Sequence, residues 1–188
     1  MKTLLECFER MKKLPLANII LVKSESDLTK IAFPYYMKAS IGEHKLEKKA
    51  ILRIENLEEA KKEYNKLKKE FKKIPILIQE QVIGTEMILG LKEDKVFGKL
   101  LLIGFGGTNA EVLKDVQFRA IPVSRDNIRK AIEELRLYPT LFKRRVHNID
   151  KFIDLAFEVS KLNFKELDLN PVILNEKDAT IVDARGDC

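Results

Sequence analysis

The chain has 188 residues, 45% of them hydrophobic and 34% charged, enough apolar material for one or two small cores and enough charge to cover them. That balance excludes a disordered acidic tail, and two cysteines without motif spacing, Cys7 and Cys188, exclude a disulfide-stapled mini-protein and point to a reducing cytoplasm. No apolar run reaches the ~18–20 residues that span a bilayer, charges from Glu6 to Arg10 come too early for a signal peptide, and 35 basic against 29 acidic residues suit an anionic small molecule as well as nucleic acid.

In chain order, Leu4, Leu5, Phe8 and Met11 predict an opening helix that stops near Pro15. Ala17 to Val22 reads as a buried strand, and Ser24 or Ser26 caps a short helix through Lys30. Tyr35 to Ala39 and Lys48 to Ile54 read as the next strands. From Asn56 to Lys73, Leu57, Ala60, Tyr64, Leu67 and Phe71 recur at steps of three and four, an apolar helical stripe. The Lys and Glu residues around it form a solvated face more readily than a nucleic-acid surface. Pro75 to Glu80 is a strand ending in polar residues. Glu86 to Leu91 and Gly98 to Gly104 read as strands joined by a turn at Glu93-Asp94, and Val116 to Pro122 as another. Ser124 or Asp126 starts a helix to about Arg136, and Asp150 to Lys161 forms a second. Leu167 to Leu174 and Thr180 to Arg185 close the chain as a hairpin. Such an order predicts an α+β protein in two lobes, residues 1–82 and 83–188.

The closing hairpin carries the most chemistry. With its turn on Glu176-Lys177, Leu174 faces Ala179, Val172 faces Ile181, Asn170 faces Asp183 and Asp168 faces Arg185. Opposed Cβ atoms lie ~4.5–5.5 Å apart, so an amide and a carboxylate can share one cation. Magnesium wants such hard oxygens, with phosphate and water completing its shell. The same residues equally describe a surface ladder closed by an Asp168–Arg185 ion pair. Gly104-Phe105-Gly106-Gly107 could turn backbone amides toward phosphate oxygens, although alone it describes a tight turn better. Glu111, Lys114, Asp115 and Arg119 follow at a charge density that suits a polyanion and its metal. Gln79 and Glu80 leave an apolar strand where an adenine edge could be read, and Lys38 emerges from another, as suits a phosphate partner. His44 could accept a phosphoryl group, or be a loop residue without a role. His147 reads as loop surface.

Together these stretches resemble the ATP-grasp domain of ADP-forming acyl-CoA synthetases, the acetate–CoA ligase (ADP-forming) beta subunit. The most specific are Glu111-Val112-Leu113-Lys114-Asp115-Val116-Gln117-Phe118-Arg119, Glu166-Leu167-Asp168-Leu169-Asn170-Pro171 and Val182-Asp183-Ala184-Arg185. The resemblance implies an ATP-grasp fold with a nucleotide cleft between its lobes. It implies the reaction acyl-CoA + ADP + phosphate = acid + CoA + ATP, with ATP/ADP and Mg2+ as cofactors. CoA would be bound by an alpha subunit, in a heterotetramer of two alpha and two beta chains, with neither nucleic acid nor membrane as partner. By position it makes Lys38 the phosphate lysine and Gln79 and Glu80 the adenine hinge. Glu86, Gly106, Gly107 and Glu111 fall on the nucleotide side, and Asn170 and Asp183 become the magnesium ligands. Arg119 becomes a cation steadying transferred charge and His44 a second phosphoryl relay. The family's Gly-Gly pair after this histidine is absent here, where Leu46-Glu47-Lys48-Lys49 follow Lys45. That departure motivates a second reading, a catalytically impaired relative acting as a nucleotide-binding or scaffold module for the alpha subunit.

Overall fold

In a computed structural model, which describes residues 4–39, 51–107, 114–142 and 147–187, the chain opens with α1 (Leu4–Arg10). It then divides into two compact units, residues 17–82 and residues 1–16 with 83–188. The expected lobe 1–82 therefore lacks its first sixteen residues. They belong with the second unit because Ile181 donates its N–H to the Pro15 carbonyl (2.9 Å) and Leu16 forms a parallel bridge with Ile181. Cys7, Phe8 and Met11 are buried there, and the Arg10 guanidinium lies 5.8 Å over the Phe164 ring.

The unit of residues 17–82 holds β1 (Ile19–Leu21), β2 (Tyr35–Ala39), β3 (Ile51–Ile54), α2 (Leu57–Glu70) and β4 (Ile76–Glu80). Its sheet is antiparallel in the order β1-β4-β2-β3. Helix α2 starts where the stripe predicts. The Asn56 side chain accepts the Glu59 N–H (3.0 Å), and Glu59 returns a carboxylate to the Glu55 N–H (2.8 Å), a reciprocal cap that satisfies otherwise orphaned donors. Ala60, Tyr64 and Leu67 pack with Tyr35, Met37, Ile54, Ile76 and Ile78 in one buried cluster. Each large side chain so buried contributes ~1.5–3 kcal/mol. Strand alternation then turns Tyr36, Lys38, Leu77 and Gln79 to the face away from α2.

The other unit holds β5 (Thr85–Asp94), β6 (Gly98–Phe105), β7 (Val116–Ala120), α3 (Arg125–Glu133), α4 (Ile149–Ser160), β8 (Glu166–Leu174), β9 (Ala179–Ile181) and β10 (Arg185–Asp187). The strand order is β10-β8-β5-β6-β7, with β9 also on β8. One face, bearing Met87, Leu89, Leu91, Leu101, Ile103, Leu167 and Leu169, is buried and is covered by α3 and α4. The β5–β6 turn comes slightly later than Glu93-Asp94 predicts. Asp94 stays in the ladder, its carboxylate accepts the N–H groups of Val96 (2.8 Å) and Phe97 (2.9 Å), and Gly98 supplies φ 71°. Those donors hold the Asp94 carboxyl below its ordinary range. A 3-10 turn at Tyr138–Phe142 has no counterpart among the predicted elements.

Candidate functional site

The registers place the closing hairpin as its spacing predicts, except at the point of interest. Val172 pairs with Ile181 and Leu174 with Ala179 on one side, and Asp168 with Arg185 on the other. Between them the ladder is interrupted. Asn170 and Pro171, joined by a cis peptide, stand together opposite Ile88, and the N–H groups of Val182 (3.1 Å) and Asp183 (3.4 Å) both turn to the Pro171 carbonyl. Leu169 keeps to the helix-covered face while Asp168 and Asn170 are exposed on the open one. Asp183 is partly exposed and its carboxylate lies 3.9 Å from the Arg185 guanidinium. The cation in this stretch therefore sits beside Asp183 as well as opposite Asp168.

Glu86 and the glycine turn come together. Gly106 donates its N–H to the Glu86 carbonyl (2.7 Å), and a Cβ on Gly106 would meet the Glu86 backbone at 3.2–3.3 Å. Gly107 has φ 78°, and a Cβ there would stand 2.6 Å from the Glu86 carboxylate. Only glycine gives this turn such closeness to an acid. Thr85, the residue before, shares a 2.9 Å hydrogen bond with His147 Nε2, whose Nδ1 meets the Leu141 carbonyl at 2.7 Å. A carbonyl can only accept, so Nδ1 carries the proton. His147 is thus a strut for the start of β5, not surface. Sequence reading missed the pair because its members are 62 positions apart.

Arg119 does not join this group. Alternation along β7 puts it with Leu101, Leu91 and Leu167 on the helix-covered face. There its guanidinium bonds Glu134 (2.6 Å) and the Asn127 carbonyl (3.3 Å), while the open face of β7 shows Phe118. Arg119, expected to steady transferred charge, is here an anchor on α3 and its cap. Asp115 likewise is only 4% exposed, with its two oxygens accepting the N–H groups of Arg136 and Leu137, each at 2.9 Å.

In the unit of residues 17–82, Lys38 and Gln79 are buried neighbours on adjacent strands, since Gln79 pairs with Tyr36 and Lys38 with Leu77. Glu80 points to the opposite face by alternation, and its carboxylate accepts the Asn18 N–H (2.7 Å). His44 and Glu111 lie outside the described residues.

A magnesium ion fits the donor set of the hairpin. Among the described residues no group of three or more His, Cys, Asp or Glu could hold a metal unaided. An accessible amide oxygen and one carboxylate at the ladder interruption match a cation that takes one or two protein oxygens and fills its shell with phosphate and water.

The ATP-grasp domain family matches residues 10–186. The beta subunit of acetate–CoA ligase [ADP-forming] II from Pyrococcus furiosus is 36% identical over 177 residues, covering 82% of this chain and 75% of that subunit. The 4-hydroxybutyrate–CoA ligase [ADP-forming] of Nitrosopumilus maritimus is 31% identical, covering 87% of this chain, which spans only 27% of that protein. Among solved structures, acetyl-coenzyme A synthetase 1 of Ca. Korarchaeum cryptofilum superposes with a TM-score of 0.82 at 29% identity, covering 97% of this chain and 89% of that one. It was solved with coenzyme A and Mg-AMPPCP, with its phosphohistidine segment pointing towards the nucleotide binding site. Among the described residues of the present chain, no helix is long and apolar enough to cross a membrane. The match along nearly the whole length, in both sequence and fold, makes this chain a member of the ATP-grasp family, within the ADP-forming acyl-CoA ligases.

Proposed function

We propose that the chain is the nucleotide-binding beta subunit of an ADP-forming acyl-CoA ligase of the acetate type, acting in the cytoplasm with a CoA-binding alpha subunit in a heterotetramer of two alpha and two beta chains. The observation that carries this is the glycine turn seated on Glu86, in a fold shared with a nucleotide-bound synthetase. In the transfer, an ADP β-phosphate oxygen attacks the phosphorus of a phosphohistidine on the partner. The P–N bond breaks and the imidazole nitrogen takes up a proton as ATP forms. Little covalent work falls to the protein, so positioning and charge dominate.

Lys38 holds phosphate, and Gln79 with the backbone of Glu80 flanks the base. The Gly106–Gly107 turn directs backbone toward the phosphates, and Glu86 orients the nucleotide side. Asn170 and Asp183 hold Mg2+, which when bound offsets the charge on the phosphate oxygens. His44 is a second relay within this proposal. The experiment is ATP formation from acetyl-CoA, ADP and phosphate by this chain with its alpha subunit. Turnover is expected with acetyl-CoA, and none with any acyl-CoA, 4-hydroxybutyryl-CoA included, would refute the proposal.

A further inference from the structure

Asp115 and Arg119 belong to the motif most specific to the resemblance, yet both are spent on α3 and the segment after it. Asp115 seizes two backbone N–H groups just past the helix, at Arg136 and Leu137. Arg119 seizes the carbonyl of Asn127 within it and Glu134 at its C-terminal cap. The same Asp115 backbone closes the end of the β6–β7 pair, its carbonyl accepting the Phe105 N–H at 3.2 Å. Gly104 must lack a side chain there, because a Cβ would meet the Asp115 carbonyl oxygen at 2.8 Å and Val116 Cγ1 at 2.6 Å. Just past Phe105, where β6 ends, Gly106 and Gly107 rest on Glu86. A continuous set of contacts therefore runs from the segment just after α3 through Asp115 and Phe105 to the glycine turn.

We infer that Asp115 and Arg119 are positioning residues that use α3 as a splint to hold the Gly106–Gly107 turn against Glu86 for nucleotide binding. This rests on the nucleotide reading proposed above. A carboxylate that accepts two backbone N–H groups is a stiff anchor, because charge-assisted hydrogen bonds are shorter and stronger than neutral ones. Its burial makes loss of those bonds leave two amides unsatisfied. A turn presenting backbone groups to phosphate tolerates little displacement, since misplacement of about 1 Å can cost up to ~100-fold.

The test is titration calorimetry of the full chain with ADP in the presence of Mg2+, well below the melting temperature of every variant. Asp115→Ala is expected to raise Kd about tenfold, and Asp115→Asn, which keeps one acceptor, to raise it less. Should Asp115→Ala fail to fold, Asp115→Asn carries the comparison. Arg119→Ala is expected to raise Kd by a smaller factor and Glu134→Ala, which leaves the Asn127 contact in place, by part of it, with the double variant no worse than Arg119→Ala. A lowered melting temperature with wild-type Kd in the Asp115 variants would mean a merely structural clasp and overturn the inference. So would weakened binding by Arg119→Ala beside a Glu134→Ala variant with wild-type Kd, which would make the guanidinium a ligand group. Absence of ADP binding by the wild-type chain would instead overturn the nucleotide reading, and the positioning role with it.

Discussion

The substitution Gly107→Ala separates the backbone demand of the glycine turn from its contact with Glu86. At φ 78° an L-residue pays roughly 1–2 kcal/mol to stay left-handed. For a chain of this size that corresponds to a melting temperature lower by about 2–8 °C. The same backbone cost arises at Gly98, with φ 71°, where an added Cβ meets nothing within 4 Å. The two variants should therefore lose similar stability. They differ at the site, because the Gly107 Cβ would lie 2.6 Å from the Glu86 carboxylate. That is the far end of a flexible side chain, so the carboxylate swings away at little cost to folding and vacates its place. Thermal unfolding and ADP·Mg2+ titration of both variants read the two effects apart. Gly98→Ala should bind ADP as the wild type does, and Gly107→Ala about tenfold more weakly. Equal Kd values for the two would show that the Glu86 carboxylate takes no part in nucleotide binding.

Two further outcomes follow from the same structure. Asp183→Ala should cut ATP formation by ~100-fold or more while leaving the melting temperature near that of the wild type; rates within a factor of three would remove Asp183 from the magnesium site. Asp27 has its carboxyl held down to about 2 by Lys30, with the N–H groups of Lys23 and Ser24 contributing, at 2.6, 2.8 and 3.0 Å. A depressed acid stabilises the fold above its ordinary pKa of about 4 and loses that contribution as pH falls through about 2. Melting curves of wild type and Asp27→Ala should therefore differ at pH 7 and converge toward pH 2, and a gap that stayed constant down to pH 2 would contradict the assignment.

Most elements were legible because their signals are local. The three-and-four stripe from Leu57 to Phe71 gives α2, with Leu57–Glu70 observed. Ser124 caps α3 by accepting the Asn127 N–H, and hairpin arithmetic gives the β8–β9–β10 register. What failed was long-range. The assignment of residues 1–16 depends on Ile181 reaching Pro15, and no periodicity encodes that. The interruption at Asn170–Pro171 was invisible too, because a matched irregularity on the facing segment restores the register beyond it.

The placement of Arg119 was illegible for a sharper reason. A strand at Val116–Ala120 fixes by parity that Val116, Phe118 and Ala120 share one face and Gln117 and Arg119 the other. A period of two divides residues between faces without saying which face the helices will cover. The structure leaves Phe118 47% exposed and bonds Arg119 to Glu134 beside α3. Distinguishing the cases requires the partners, and in Glu134 and Asn127 they were available only as two polar residues of an amphipathic helix. Charge packed densely into a motif is therefore ambiguous between a site that binds charge and a frame that holds the site. At Asp115 and Arg119 the directions of the hydrogen bonds decide for the frame.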